Sequence, residues 1–410
     1  MKSFVASLSA CMIASQLAAA SFTPICHEPD SHPAIGAIYF MTNDGTANKV
    51  IAHEIQPDGT VVFGKTAWIG GKGLHGNDAP AATGPDPLFA QGALQVSGNH
   101  LFTINPGSNT ASMFEIDDRD PTKLRLIGVP VNTGGEFPMA ITASPKTNHV
   151  CVANGGKVNG VQCFTADPEQ GLLPIQNSQR LLKLPLTTPP VGPPGTVSNI
   201  QFSGDGSKLF ASVKGVPPKP GFIATWDVNQ DGSLSQNFKS STPAKGGMLP
   251  FSITPIPGKN AVLNTDAGVG FSVFDFSRGD VASSTVIPIK GQKATCWSAY
   301  SSKTGTFFLT DVGTATVTEV KVDQNLRGSI VKQYPLGAGT ATVDNGIATV
   351  NGKDYLYVLQ ANITSVNVMS LKAPGQAKTI QTFNFAADAK KAGITVDRNN
   401  LQGMAVYTKF

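Results

Sequence analysis

The chain is predicted to be all-β, a ring of seven four-stranded antiparallel sheets. Three observations predict it. A pattern of short strands recurs six times, and the two chain ends hold complementary parts of a seventh unit. In addition, 43 glycines and 29 prolines among 410 residues supply turns at the density such a repeat needs.

Each unit opens with a strand ending at a Ser or Pro turn: QGALQVSG (91–98), PMAITASP (138–145), VSNIQFSG (197–204), LPFSITPI (249–256), TCWSAYSS (295–302) and DNGIATVN (344–351). A second strand follows after a tight turn, as in HLFTIN, HVCVAN, AVLNTD and TFFLTD. A Gly-containing loop then leads to a third strand such as ASMFEID or FSVFDF, and a less regular fourth closes the unit. Near the N-terminus the pattern begins at the second-strand position, AIYFMTND (37–44), and the missing first strand is LQGMAVY (401–407). One blade shared by both termini closes the ring and removes open sheet edges. The expected architecture is a single seven-bladed β-propeller over residues 36–410, preceded by a lead segment (21–35) and a signal peptide (1–20).

Short turns join first to second strands and usually third to fourth. The long insertions fall elsewhere: residues 70–87 and 184–196 precede first strands, and 215–221 follows a second strand. In a propeller these two connection types share one face, so that face is where ligands are expected to bind.

Composition narrows the function. The chain is 40% hydrophobic and 14% charged, and its formal charge of +4 is spread without a Lys/Arg cluster, which argues against a nucleic-acid or membrane role. The start, MKSFVASLSACMIASQLAAAS, reads as a secretory signal cleaved near Ala20, and no later apolar run is long enough to span a bilayer. A secreted, extracellular monomer is therefore expected, with cell-wall association open. In an oxidising compartment Cys151 and Cys163, placed symmetrically about Lys157 in a Gly-rich hairpin, are expected to pair. Cys26 and Cys296 either pair or stay free. The sequon Asn362-Ile363-Thr364 is a glycan acceptor in an exported chain.

Aligning the residues that end each second strand gives Asn43, Asn105, Asn154, Lys214, Asp266, Asp311 and Gln360. All are polar, although the strands leading to them are apolar. Asn and Asp also suit turns for backbone reasons, but Lys214 and Gln360 do not. The entrances to the first strands add Gln91, Glu136, Asn199, Trp297, Asn345 and Gln402, with Asp344 beside Asn345. Glu136 serves either as a base or metal ligand, or as a cap on backbone amides. Trp297 either stacks on a ring-shaped ligand or packs between blades. Of the six histidines only His75 lies in a long loop on the predicted ligand face, and none has a metal-like spacing. No nucleophile elbow, zinc-protease, phosphate-loop or dinucleotide signature is present.

The stretches GAIYFMTND, GPDPLFAQG, NPGSNTASMFEI, GGEFPMA, CVANGGKVNGVQCF, LPFSITPIPGKNAVLNTDAGVGF and ATCWSAYSSKTGTFFLTDVGT carry a resemblance. The chain resembles the lactonase-like seven-bladed propellers, and more closely the secreted fungal proteins labelled 3-carboxymuconate cyclase-like. The resemblance implies a histidine-rich segment opening a blade, with arginines and an acid nearby. The corresponding position here reads EFPMAIT (136–142), and no arginine stands among the aligned mouth positions.

Three functions follow as expectations. The first is hydrolysis of a small polar, sugar-type lactone at the channel mouth. Asp266 or Asp311 would activate water, Asn154 or Lys214 would stabilise the oxyanion, and Glu136 is a further acid. Asn43, Asn105, Asn199, Trp297, Gln360 and Gln402 would contact the substrate. The one cofactor left open is calcium, for which Glu136, Asn154, Asp266 and Asp311 supply suitable oxygen donors. The second is non-catalytic binding of a small polar molecule at the same mouth. The third is the lactonising cyclase reaction.

Overall fold

Seven separate antiparallel sheets, each built from consecutive strands, make up the protein. The structure, a computed structural model, describes residues 34–78 and 83–409. The predicted signal peptide, most of the lead segment and Cys26 lie outside them. In blade 1 the strand Gln402–Thr408 is innermost and pairs with Gly36–Met41, which is followed by Lys49–Ile55 and Val61–Trp68. The termini thus share a blade, with Ile38 opposite Val406. Blades 2 to 7 open with the innermost strands Leu94–Ser97, Pro138–Ala143, Val197–Phe202, Pro250–Pro255, Thr295–Ser301 and Thr342–Val350, and each proceeds outward in sequence order. This is a seven-bladed β-propeller, as the repeats predict.

The irregular fourth strands are irregular in the structure too. In blade 3 the outer edge is broken into Gly171–Pro174 and Arg180–Leu181, and in blade 4 it is only Lys239–Ser241. The sequence pattern contained no helix. One occurs, Ala386–Lys391, with Asp388 in its first turn and Lys390 and Lys391 in its last, the charge order that suits a helix dipole.

Burial follows position in the blade. Second strands such as Ala261–Asp266 and Thr306–Asp311 are buried along their whole length, because both faces pack against neighbouring blades. Outer strands such as Ser283–Pro288 are half exposed. The largest apolar cluster runs through blades 1 to 4 and includes Phe114, Phe164, Phe202 and Trp226.

Six of the seven innermost strands slip register against their neighbour at or near the loop-rich end: between Pro138 and Ala140, Val197 and Asn199, Pro250 and Ile253, Thr295 and Trp297, Thr342 and Asn345, and opposite Tyr39 and Met41 in blade 1. A bulge re-aims side chains, and here it does so beside the channel. In blade 1 the bulge uses Gly403 at φ 86°, where a Cβ would lie 2.3 Å from Leu94 Cδ1. Any L-residue there would be strained in backbone and crowded in side chain.

Cys151 and Cys163 are direct cross-strand partners and form a disulfide. Closing a loop with a sequence separation of 12 removes freedom from the unfolded chain. Replacing both by serine is expected to lower stability by about 3 kcal/mol, read as a drop in urea midpoint. An unchanged midpoint would show the bridge to be energetically idle. Cys296 is free and buried.

Candidate functional site

The seven residues that end the second strands are equivalent in place but not in use. Five of them turn back on the connection that enters their own blade, and Asn43 turns to the connection that leaves blade 1 for blade 2. Asn43 donates to Leu74 O at 2.9 Å and accepts from Leu74 N at 3.1 Å. Asn105 donates to Ile69 O, and Asn154 donates to Thr133 O while accepting from the Thr133 hydroxyl at 2.7 Å. Asp266 accepts from the amides of Met248 (2.6 Å), Leu249 (3.0 Å) and Gly268 (2.9 Å). Asp311 repeats the arrangement on Lys293, Ala294, Gly313 and Thr314. Gln360 donates to Leu336 O and to the Thr340 hydroxyl. The common task is to tie the end of the second strand to a neighbouring inter-blade connection, and Asp266 and Asp311 also hold the loop that leaves the strand. At Asn43, Asp266 and Asp311 this satisfies part-buried loop amides, and at Asn105, Asn154 and Gln360 it satisfies loop carbonyls.

The two acids expected to activate water are therefore engaged by backbone amides on both oxygens. Asp266→Ala leaves three N–H groups without their acceptor, and a loss of about 1–3 kcal/mol is expected. Thermal denaturation of Asp266→Ala beside Asp266→Asn tests this, and a melting curve unchanged in both would remove the capping role.

Lys214 is the exception. Its side chain is 2% exposed and its Nζ donates to Phe89 O at 2.6 Å and to Val197 O at 3.3 Å, standing 4.7 Å over the Phe251 ring. Phe89 belongs to the end of the long 70–87 insertion and its continuation to Gln91, which crosses the channel instead of staying at the rim. Asn199 donates to Gln91 O (2.9 Å), and Gln91 exchanges hydrogen bonds with Ser298 N and O at 2.9 and 3.0 Å. Trp297 Nε1 and Gln402 Nε2 both donate to Ala90 O, at 3.3 and 2.9 Å. Residues from blades 1, 4 and 6 thus converge on three consecutive carbonyl groups of one segment. Leu88, Phe89 and Ala90 are buried, and Asp86 and Phe89 take positive φ values of 75° and 54°. Two non-glycine residues in the left-handed region within four positions are tolerated because the surrounding hydrogen bonds over-determine them.

Around this plug stand four buried titratable groups. Burial pushes the Asp86 carboxyl well above the usual carboxylate range; Lys214 opposes the shift and Asp344 adds to it. Burial also brings Lys214 down to about 7, against the pull of Asp86. Asp344 is pushed up to about 7 by burial, although it accepts from Gly403 N at 2.7 Å and Gln402 Nε2 at 2.6 Å. Cys296 is raised above the ordinary thiol range by burial and by the Asp86 charge. Asp86 keeps 8% exposure. Groups displaced this far toward neutrality are the usual material of acid–base chemistry.

The other expected residues fall in different places. Glu136 is half-buried on the loop-rich face and accepts from the Thr188 hydroxyl, which fastens it to the 184–196 insertion. Trp297 is wholly buried and meets Phe251 edge to face at 5.3 Å, so of its two expected roles the structure shows packing. The metal set is corrected. Glu136, Asp266 and Asp311 have separate partners, and among the described residues no three His, Cys, Asp or Glu side chains form a group able to hold an ion. His75 lies against Gly76 O and Gly84 O within its loop. Asn362 donates its side-chain amide to Gly339 O.

Sequence reading placed Lys214, Asn199, Trp297, Gln91 and Gln402 near the channel but missed Asp86 and the plug. The available signal was Leu88-Phe89-Ala90, an apolar triplet at the end of a polar, Gly- and Pro-rich loop. Apolar residues there need a core to enter.

No protein-family model matches the chain, and no curated protein sequence matches it. Solved structures do. The periplasmic gluconolactonase PpgL of Pseudomonas aeruginosa superposes with a TM-score of 0.64 at 16% identity, covering 85% of this chain and 96% of that one. A putative 6-phosphogluconolactonase from Bacteroides uniformis gives 0.60 at 16% identity with the same coverage. A functionally unknown protein from Desulfotomaculum acetoxidans gives 0.62 at 11% identity, covering 91% and 99%. These likenesses show a shared fold, that of lactonase-like propellers.

Proposed function

We propose that this lactonase-like propeller hydrolyses a small polar lactone at the loop-rich end of its channel, with Asp86 and Lys214 as the groups that carry the chemistry. The observation behind the reading is the divergence of Lys214 from its six counterparts. Where they cap loops, it enters the channel and shares a buried field with Asp86. A carboxylate there takes a proton from water as the oxygen adds to the lactone carbonyl carbon. The Lys214 ammonium stabilises the oxyanion as it forms. Collapse breaks the ring C–O bond, and the ring oxygen takes the proton back to give a hydroxy acid. In the closed arrangement Lys214 is held by Phe89 O, so reaction requires the plug to shift from that oxygen.

The test is turnover of a panel of sugar lactones by the wild-type protein, Asp86→Asn, Lys214→Met, Asp266→Asn and Asp311→Asn, each checked for folding. Loss in the first two with activity retained in a folded Asp266 or Asp311 variant supports the pair. Full activity in Asp86→Asn and Lys214→Met removes it, and selective loss in Asp266→Asn or Asp311→Asn returns the base to the blade 5 or blade 6 rim.

A second reading has its own support. The plug satisfies the inner donors so fully that a non-catalytic protein, binding a polar ligand above it, accounts for the same geometry. No turnover across the panel, with a melting temperature raised by a lactone or aldonate, would favour that reading. Cyclisation of a 3-carboxymuconate is the least supported alternative, because a tricarboxylate needs several cations and the described channel supplies Lys214 alone opposite Asp86 and Asp344. We read the protein as an exported monomer with a glycan on Asn362. The Cys151–Cys163 bridge supports export, since such bonds persist in oxidising compartments. No helix among the described residues is long and apolar enough to cross a membrane.

A further inference from the structure

On the face opposite the long loops, blades 6 and 7 enclose a cavity of about 450 Å³ lined by Lys303, Lys353, Asp354, Tyr355, Leu371 and Lys372, among others. The three lysines come from three places: Lys303 from the turn after Thr295–Ser301, Lys353 from the start of the strand Lys353–Gln360, and Lys372 from the turn after Ser365–Leu371. All three are exposed. None takes part in an ion pair, whereas Lys65, Lys123, Lys208 and Lys391 each do. Three ammonium groups around one concavity, with the single lining carboxylate Asp354 buried and bonded elsewhere, repel one another, and the arrangement is relieved by an anion.

The cavity is held in shape from beneath. Asp354 is buried and accepts from Ser301 Oγ at 2.7 Å, Lys303 N at 3.3 Å and Thr349 Oγ1 at 2.6 Å. It thereby fastens the blade 6 turn that carries Lys303 to the blade 7 strand that Lys353 opens. Its oxygens are engaged by neutral donors and make no pair with the lysines. The other carboxylate recorded near this floor, Asp58 of blade 1, acts on Tyr355 and accepts from Thr60 N and Oγ1. Tyr355 and Leu371, 6% and 4% exposed, form an apolar floor beside the charge, with Ser370 at the lining.

We propose that this pocket is a binding site for a small organic oxyanion ester, a phosphate or sulfate group carried on an apolar or aromatic body. The lysines take the tetrahedral anion, and Tyr355 and Leu371 take the body. Lysine suits such a task as a mobile point charge that does not demand the planar geometry of a carboxylate. The site lies on the opposite face from the channel plug and does not depend on the lactone reading.

The experiment is calorimetric titration of the full chain with phenyl phosphate, phenyl sulfate and inorganic phosphate at low salt. The wild type is compared with Lys303→Gln/Lys353→Gln/Lys372→Gln and with a loop-face control, Lys157→Gln/Lys245→Gln. These five lysines are exposed, so the variants should melt like the wild type, and the melting curve is recorded for each. Phenyl phosphate or phenyl sulfate should bind the wild type more tightly than inorganic phosphate. Affinity should fall by about tenfold or more in the triple variant and remain unchanged in the control. The better of the two esters identifies the anion. Absence of binding, or an equal loss in triple variant and control, would overturn the proposal, since the latter would mean only a diffuse response to net charge.

Discussion

Lys214→Met is expected to destabilise the protein by about 3–5 kcal/mol, the cost of removing one partner from a buried charged set. The physical reason is local. The substitution keeps the length and apolar stem of the side chain, so packing over Phe251 is largely preserved, but Phe89 O and Val197 O lose their donor. Asp86, which Lys214 favours in its ionised form, is left with Asp344 and Asp78 as nearby charges of like sign. The plug should then loosen, and because it is bonded to blades 1, 4 and 6 the effect should reach beyond the mutated blade. Adding Asp86→Asn to Lys214→Met should recover part of the loss, since the uncompensated carboxyl is gone. A double-mutant cycle by urea denaturation measures this. A single variant as stable as wild type, or strictly additive losses, would show that the two residues are not coupled.

The second large effect concerns acid. His53 is fully buried in blade 1, inside a box of Phe40, Phe63, Phe383 and Phe385 whose ring centroids lie 5.1 to 5.5 Å away. Neither ring nitrogen has a hydrogen-bond partner of good geometry. Burial takes the imidazole down to about 3, and the Ala52 backbone and Asp388 offset this only in part. A histidine whose folded value lies below its unfolded value near 6.5 lets the unfolded chain bind the extra proton first. The folded protein is therefore unaffected above about pH 6.5. It loses stability progressively as the pH falls from there toward 3, by a total on the order of 5 kcal/mol. His53→Leu removes that proton and should shift the acid unfolding midpoint downward, with stability at pH 8 unchanged or higher. Coincident acid transitions for variant and wild type would show that another group controls acid unfolding.

The location of this histidine gives the effect its reach. Phe383 lies one residue before the end of the outer strand of blade 7 and Phe385 precedes the short helix, while Phe40 and Phe63 belong to blade 1. The box therefore sits on the seam where the ring closes. Protonating His53 acts on the joint that makes the seven sheets one ring, so acid unfolding should be cooperative rather than confined to one blade.

The amino-acid sequence by itself determined the architecture: seven units, their strand order, the blade shared by both termini, the loop-rich face and the Cys151–Cys163 bridge. These are local or periodic properties. Strand alternation, turn chemistry and equal spacing are written along the chain, and ring closure follows from which strand each end lacks. It also placed Asp266 and Asp311 at equivalent blade positions. What it did not contain was the direction of each side chain. A residue at a strand end is equally able to bond backward to a loop or inward to the channel, and the choice depends on which amides the neighbouring connection leaves unsatisfied. At Asp266 and Asp311 those amides are present and take the carboxylates. At Lys214, a donor with no acceptor role in such a cap, the free carbonyls of a plug contributed from blade 2's entrance draw the side chain inward. Only the tertiary structure brings residue 86 to residue 214, because that meeting depends on the closed ring and not on any spacing along the chain.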